Sequence, residues 1–185
     1  MKKLFLCAFT LIVAVLAVTG CKSDPRSRIE GAEGVNRPEW MNKTPKSDEI
    51  YYVVGDGRPA EIDTVRRNTA RIDALAKLSQ WKSAVVADTM KSYVEEGGAI
   101  GNTQTLQHFE QATLARSDAN ISGFDQEDYW VDPDGVYHIL YSYPKADLRT
   151  DFSVSVSEFQ RNEAAAFAEF KAEQAYKYLE AQLEK

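Results

Sequence analysis

The chain has 185 residues, 44% of them hydrophobic, with 28 acidic against 22 basic side chains and a net charge of −6. That balance argues against a nucleic-acid partner, which needs a basic face, and against electrostatic docking on anionic headgroups. The length suits a single domain.

The chain opens with Met1-Lys2-Lys3, an apolar run from Leu4 to Val18, and small residues up to Gly20. Residues 1–20 therefore read as a signal peptide. Cys21 directly after a small residue makes this a lipoprotein signal: the sulfur takes a diacylglycerol and the freed amine a third acyl chain. The rival readings are an ordinary signal with a chance cysteine, or a short membrane anchor. The apolar run falls short of the ~20 residues of a spanning helix. Cleavage leaves 165 residues and removes two of the 22 basic side chains and no acidic one, for a net charge of −8. With Cys7 discarded and Cys21 acylated, the mature domain has neither free thiol nor disulfide and relies on its core. The lipid on Cys21 is the only non-protein group expected; it anchors strongly, since each buried CH₂ is worth ~0.8 kcal/mol. Lys22, where an aspartate is associated with inner-membrane retention in enteric bacteria, favours the outer membrane, facing the periplasm or the surface.

Residues 21–37 form the acylated cysteine and a polar, aperiodic tether, whose coil reach over 22–37 is ~20–24 Å. An α+β domain is predicted over 38–150, starting at Pro38-Glu39-Trp40. Ile50-Tyr51-Tyr52-Val53-Val54, bounded by Gly55-Asp56-Gly57, reads as a buried strand. Pro59 opens a long helix that runs to about residue 90. Its inward stripe is Ile62, Val65, Thr69, Ile72, Ala76 and Ser79, widened by Leu75, Leu78, Trp81 and Val85. Gly97-Gly98 closes that segment.

Asn102 caps a second helix with Leu106, Phe109 and Thr113 facing inward. A hairpin follows, its arms Ile121–Val131 and Val136–Tyr143 joined by Asp132-Pro133-Asp134-Gly135, where proline pre-sets one dihedral and glycine permits a positive one. Ser155-Val156-Ser157-Glu158 has capping-box spacing and opens a C-terminal helix within 151–185. From Ser157 to Lys185 that helix would extend ~40 Å, more than a small sheet can cover. The fold class is thus α+β: an antiparallel sheet of about three strands covered by a long helix, with an additional long C-terminal helix.

The chemistry-bearing patterns are sparse. Gly55-Asp56-Gly57-Arg58-Pro59-Ala60 has the outline of a dinucleotide loop, but no second parallel strand with a ribose-binding acid follows, and a tight strand-to-helix turn accounts for the glycines. Asp125, Glu127, Asp128, Asp132 and Asp134 invite a calcium reading. With Gly135 as position six of an EF-hand loop, positions one and twelve are Trp130 and Tyr141, and the register fails. His108 and His138 are too few for a metal centre; His138 reads as a sheet-face residue. No nucleophile elbow occurs, and no enzyme is expected. Two surfaces remain as candidate sites. Tyr129 and Trp130 could form a ligand platform for glycan or peptide, against plain cross-strand packing. Phe167, Phe170 and Tyr178 on the last helix could contact a protein partner or a second copy, against wrapping their own domain.

The ordered set of Cys21, Pro38-Glu39-Trp40, Tyr52-Val53-Val54-Gly55-Asp56-Gly57, the Ala70/Ala74/Ala76 helix, Ile121-Ser122-Gly123, Tyr129-Trp130 and Asp134–Leu140 resembles the twenty-kilodalton membrane-associated lipoprotein family. It is also similar to the N-terminal domain of the flagellar assembly protein called T. The resemblance covers about residues 38–148. It implies a small α+β domain on the outer membrane or cell surface, without catalytic residues; some members are surface antigens, and others sit near flagellar or envelope assemblies. The inserted 95–118 segment and the long final helix depart from the simplest members. The expectation is a non-enzymatic envelope adaptor or structural subunit, with a ligand-binding lipoprotein as the alternative.

Overall fold

The computed structural model describes residues 28–30, 36–97, 103–162 and 170–185. In chain order the elements are β1 (Arg28–Glu30), β2 (Asn36–Pro38), a 3-10 turn (Glu39–Met41), β3 (Ile50–Asp56), α1 (Asp63–Gly97), α2 (Thr103–Ala119), β4 (Asp125–Val131), β5 (Tyr137–Pro144), α3 (Lys145–Asn162) and α4 (Ala172–Leu183). The domain is α+β. β3, β5 and β4 form an antiparallel sheet in that order, and α1 crosses one face of it.

Alternation along β5 sends Tyr137, Ile139, Tyr141 and Tyr143 into the core with Ala70, Ala74 and Leu78 of α1. Each fully buried apolar side chain contributes about 1.5–3 kcal/mol. Leu140 and Trp40 are both buried, and the Trp40 indole N–H donates to the Asp128 carboxylate on β4 at 3.0 Å. The hairpin turn forms as its chemistry predicts, but the first arm starts at Asp125 and not at Ile121, since the Phe124 N–H closes a turn on the Ile121 carbonyl. Gly135 takes a positive φ of 77°, and an Asp132 carboxylate oxygen accepts the Val136 N–H at 2.7 Å. β4 is irregular, with a register shift between Gln126 and Asp128.

Four expectations are corrected. First, the tether over 21–37 is not wholly aperiodic, because Arg28–Glu30 pairs antiparallel with Asn36–Pro38; residues 1–20 and Cys21 lie outside the described residues.

Second, α1 spans Asp63–Gly97, beyond residue 90, and its sheet-facing stripe is rotated. Ala70 and Ala74 are fully buried, whereas Ile62 and Ile72 are 63% and 65% exposed. The cause is the approach to β3: a Cβ on Gly55 would lie 2.0 Å from the Ala70 carbonyl oxygen, and only small side chains on α1 permit that distance. Ile72 and Met90 stand five turns apart on one helix azimuth, yet Met90 is buried. α2 packs on α1, and the Ser79 hydroxyl donates to Asp118 near the end of α2 at 3.0 Å.

Third, the last helix begins at Lys145, directly off β5, and not at the capping-box serines. Ser155 is mid-helix and its hydroxyl donates back to the Asp151 carbonyl at 3.0 Å. Fourth, the C-terminal part is two helices. At 1.5 Å per residue α3 and α4 are roughly 27 and 18 Å long, and α4 packs on α1. Leu148, Phe152 and Leu179 belong to the one core.

Candidate functional site

Of the residues singled out in the sequence, Cys21 and Phe167 lie outside the described residues. Phe170 and Tyr178 pack against the domain's own core. Phe170 lies 4.9 Å from the Tyr93 ring and 5.7 Å from Phe109, and the Lys171 N–H donates to the Tyr93 hydroxyl at 2.9 Å. Phe170 and Tyr178 thus pack, in part, on their own domain, the second of the two readings of this stripe.

Tyr129 and Trp130 do not form one platform. As neighbours on a strand they face opposite sides of the sheet. Tyr129 stacks with Tyr137 at 6.0 Å beneath the Arg67 guanidinium. Trp130 stacks with His138 on the other side at 5.4 Å.

His138 is held from both ring nitrogens. Nδ1 meets an Asp56 carboxylate oxygen at 2.8 Å and Nε2 meets Asp132 at 3.5 Å. Lys77 binds the other Asp56 oxygen at 2.8 Å and Asp73 at 2.7 Å. Burial alone would raise Asp56, but the hydrogen bonds from Lys77 and His138 outweigh it and hold the carboxyl below its ordinary value. Among the described residues no group of three or more His, Cys, Asp or Glu is arranged to hold a metal ion.

A concave feature lies along the outer edge of β3. One hollow of about 670 Å³ runs between the Thr44–Asp48 segment, Trp81 and the C-terminal residues Gln182–Lys185. A shallower one of about 510 Å³ continues beside Tyr51–Val54, Lys77 and Trp81. Tyr51 and Trp81 stack at 4.1 Å with their planes 10° apart, and Trp81 meets the Tyr143 ring edge-on at 6.3 Å. Burial raises Tyr51, partly offset by Lys77, and raises Tyr52, aided by Glu127. Lys145 forms part of the wall. Its ammonium donates to the Leu183 carbonyl, and burial lowers its pKa. The sequence shows these aromatic residues but not their meeting: Tyr51 and Trp81 belong to different elements, and among the described residues no strand pairs with the edge they flank, because β5 takes the middle of the sheet.

Comparison with known proteins finds no matching family model, no matching curated protein and no matching solved structure.

Proposed function

We propose that this chain is a non-enzymatic bacterial outer-membrane lipoprotein, anchored through Cys21, whose domain serves as an envelope adaptor or structural subunit near a surface or flagellar assembly. The observation that carries the reading is Val18-Thr19-Gly20-Cys21 behind a positive start and an apolar run. The resemblance to the twenty-kilodalton lipoprotein family supports it. So does the engagement of His138 by carboxylates at both nitrogens, an arrangement suited to holding a sheet end together. Tethering gives the domain a high effective concentration for neighbouring partners without further contacts.

The test is expression of the full chain and of Cys21→Ala in a bacterial host. The expected result is a membrane-bound protein whose N-terminal peptide carries the mass of three acyl chains, and a Cys21→Ala form lost from the membrane. Crosslinking in intact cells then yields one dominant partner that disappears with the anchor. An unlipidated N-terminus would overturn the anchor, and only scattered abundant neighbours would overturn the adaptor role. A second reading, a periplasmic or surface ligand-binding lipoprotein, is favoured by the aromatic groove beside β3 and not by the hairpin rings.

A further inference from the structure

The free edge of β3 is neither fully open nor fully closed. In its pairing with β5, the odd-numbered residues point their main-chain groups inward, since the Glu49 carbonyl accepts the Lys145 N–H and Gly57 donates to Tyr137. Ile50, Tyr52, Val54 and Asp56 therefore point theirs outward. Side chains occupy both ends of this outward row. The Ser47 hydroxyl takes the Ile50 N–H at 3.2 Å. Lys77 donates to the Val54 carbonyl at 2.8 Å, and Asp73 takes the Asp56 N–H at 2.9 Å. Between them the Ile50 carbonyl, the Tyr52 N–H and carbonyl, and the Val54 N–H have no hydrogen-bond partner among the described residues. They present acceptor, donor, acceptor and donor in a row. The opposite edge of the sheet differs: β4 carries exposed Asp125 and Glu127 and a register shift, devices that refuse another strand.

We propose that the β3 edge binds an extended peptide segment of three or four residues by strand addition, with an aromatic or aliphatic side chain laid against Trp81. The inference deepens the binding role proposed above and does not depend on the anchor. Three features select this occupant. The alternating donors and acceptors are complementary to an extended backbone and to little else. The space lies where a strand would run: the hollows of about 670 and 510 Å³ are lined by Ile50–Tyr52 and by Tyr51–Val54, beside the row that a strand at ~4.8 Å spacing would pair with. Finally, the Thr44–Asp48 segment and the C-terminal residues flank the edge, which leaves room for a slim strand and not for the sheet of a second copy.

The test uses the purified full chain in detergent and a displayed library of random ten-residue peptides. The tightest selected peptide is resynthesised with N-methyl groups at alternate positions. Binding is expected to slow amide exchange at Tyr52 and Val54, while Val53, already bonded to β5, is unchanged. N-methylation on one alternate set weakens binding and on the other does not. Tyr52→Pro, which removes an outward N–H and is tolerable on an edge strand, weakens it by roughly two- to thirteen-fold, as one net hydrogen bond implies. Trp81→Ala weakens it as well. The inference is overturned if the library yields no binder, if the bound peptide leaves Tyr52 and Val54 exchange unaltered, or if protection appears only with protein concentration, which would mean a second copy. None of these outcomes bears on whether Cys21 is acylated.

Discussion

Gly55 on β3 and Ala70 on α1 meet so closely that a Cβ on the glycine would lie 2.0 Å from the alanine carbonyl oxygen and 2.8 Å from the Ala74 methyl. The neighbour in the way is helix backbone, which cannot step aside as a flexible side chain would. Gly55→Ala is therefore expected to cost about 3 kcal/mol or more by overpacking. Urea unfolding followed by tryptophan fluorescence measures it; a loss below about 1 kcal/mol would mean that α1 and β3 stand farther apart.

Trp40 tests whether the segment before β3 belongs to the fold. It is 2% exposed and its indole N–H is bound to Asp128. Trp40→Ala is expected to lower stability by about 3–5 kcal/mol, and Trp40→Phe by less, since it keeps the ring but drops the hydrogen bond. Thermal unfolding of both variants gives the ordering.

The faces of α1 and the C-terminal helices can be compared in one pair of variants. Ile72→Lys, at a 65% exposed position, is expected to change stability by less than about 0.5 kcal/mol. Phe170→Ala, which removes a ring from contact with Tyr93 and Phe109, should cost about 2–4 kcal/mol. The reverse order in denaturant midpoints would restore the inward stripe expected from the apolar pattern.

Acid should loosen the end of the sheet at Asp56. Its pKa is held below 3.8 in the fold, burial being outweighed by Lys77 and His138. The unfolded chain therefore takes up the proton first as pH falls. This contribution is complete above the unfolded value and is lost as pH drops through the folded one. Denaturant midpoints between about pH 2 and pH 6 should show a shallower acid limb in Asp56→Asn than in the native chain.

Alkali acts through Tyr143, whose hydroxyl lies beside Ser117 without the geometry of a hydrogen bond. Burial, then the charges of Asp147 and Asp151, raise its pKa well above 10. Above that pH the unfolded chain sheds the proton while the folded one keeps it, so stability falls as pH rises. Tyr143→Phe should flatten the fall and cost less than about 1 kcal/mol at neutral pH, because no hydrogen bond of the phenol is lost. Midpoints measured from about pH 8 to pH 11 give the slope.

The elements legible in the sequence are those specified by neighbours along the chain. Ile50–Val54 announces a strand by composition, and Pro133 with Gly135 announces a turn by dihedral chemistry. The face of α1 was not legible in this way. Ile62, Val65 and Ile72 outrank Ala70 and Ala74 in hydrophobicity, but the glycine opposite makes smallness the deciding property. Ser155 and Glu158 carry the spacing of a helix start while lying inside a helix that Lys145 had already begun. Tyr129 and Trp130 were visible as rings, yet strand alternation sends them to opposite sides. The groove needs Tyr51 from a strand and Trp81 from a helix, and it needs β3 at the rim of the sheet. Strand order is settled by how distant segments dock, which no local pattern encodes.

The irregular, acid-bearing rim formed by β4 also limits how many molecules can join. With β3 as the receptive edge and β4 as the refusing one, copies of this chain cannot join β3 to β4 in head-to-tail succession. The sheet therefore does not pass its pairing from copy to copy along an open array.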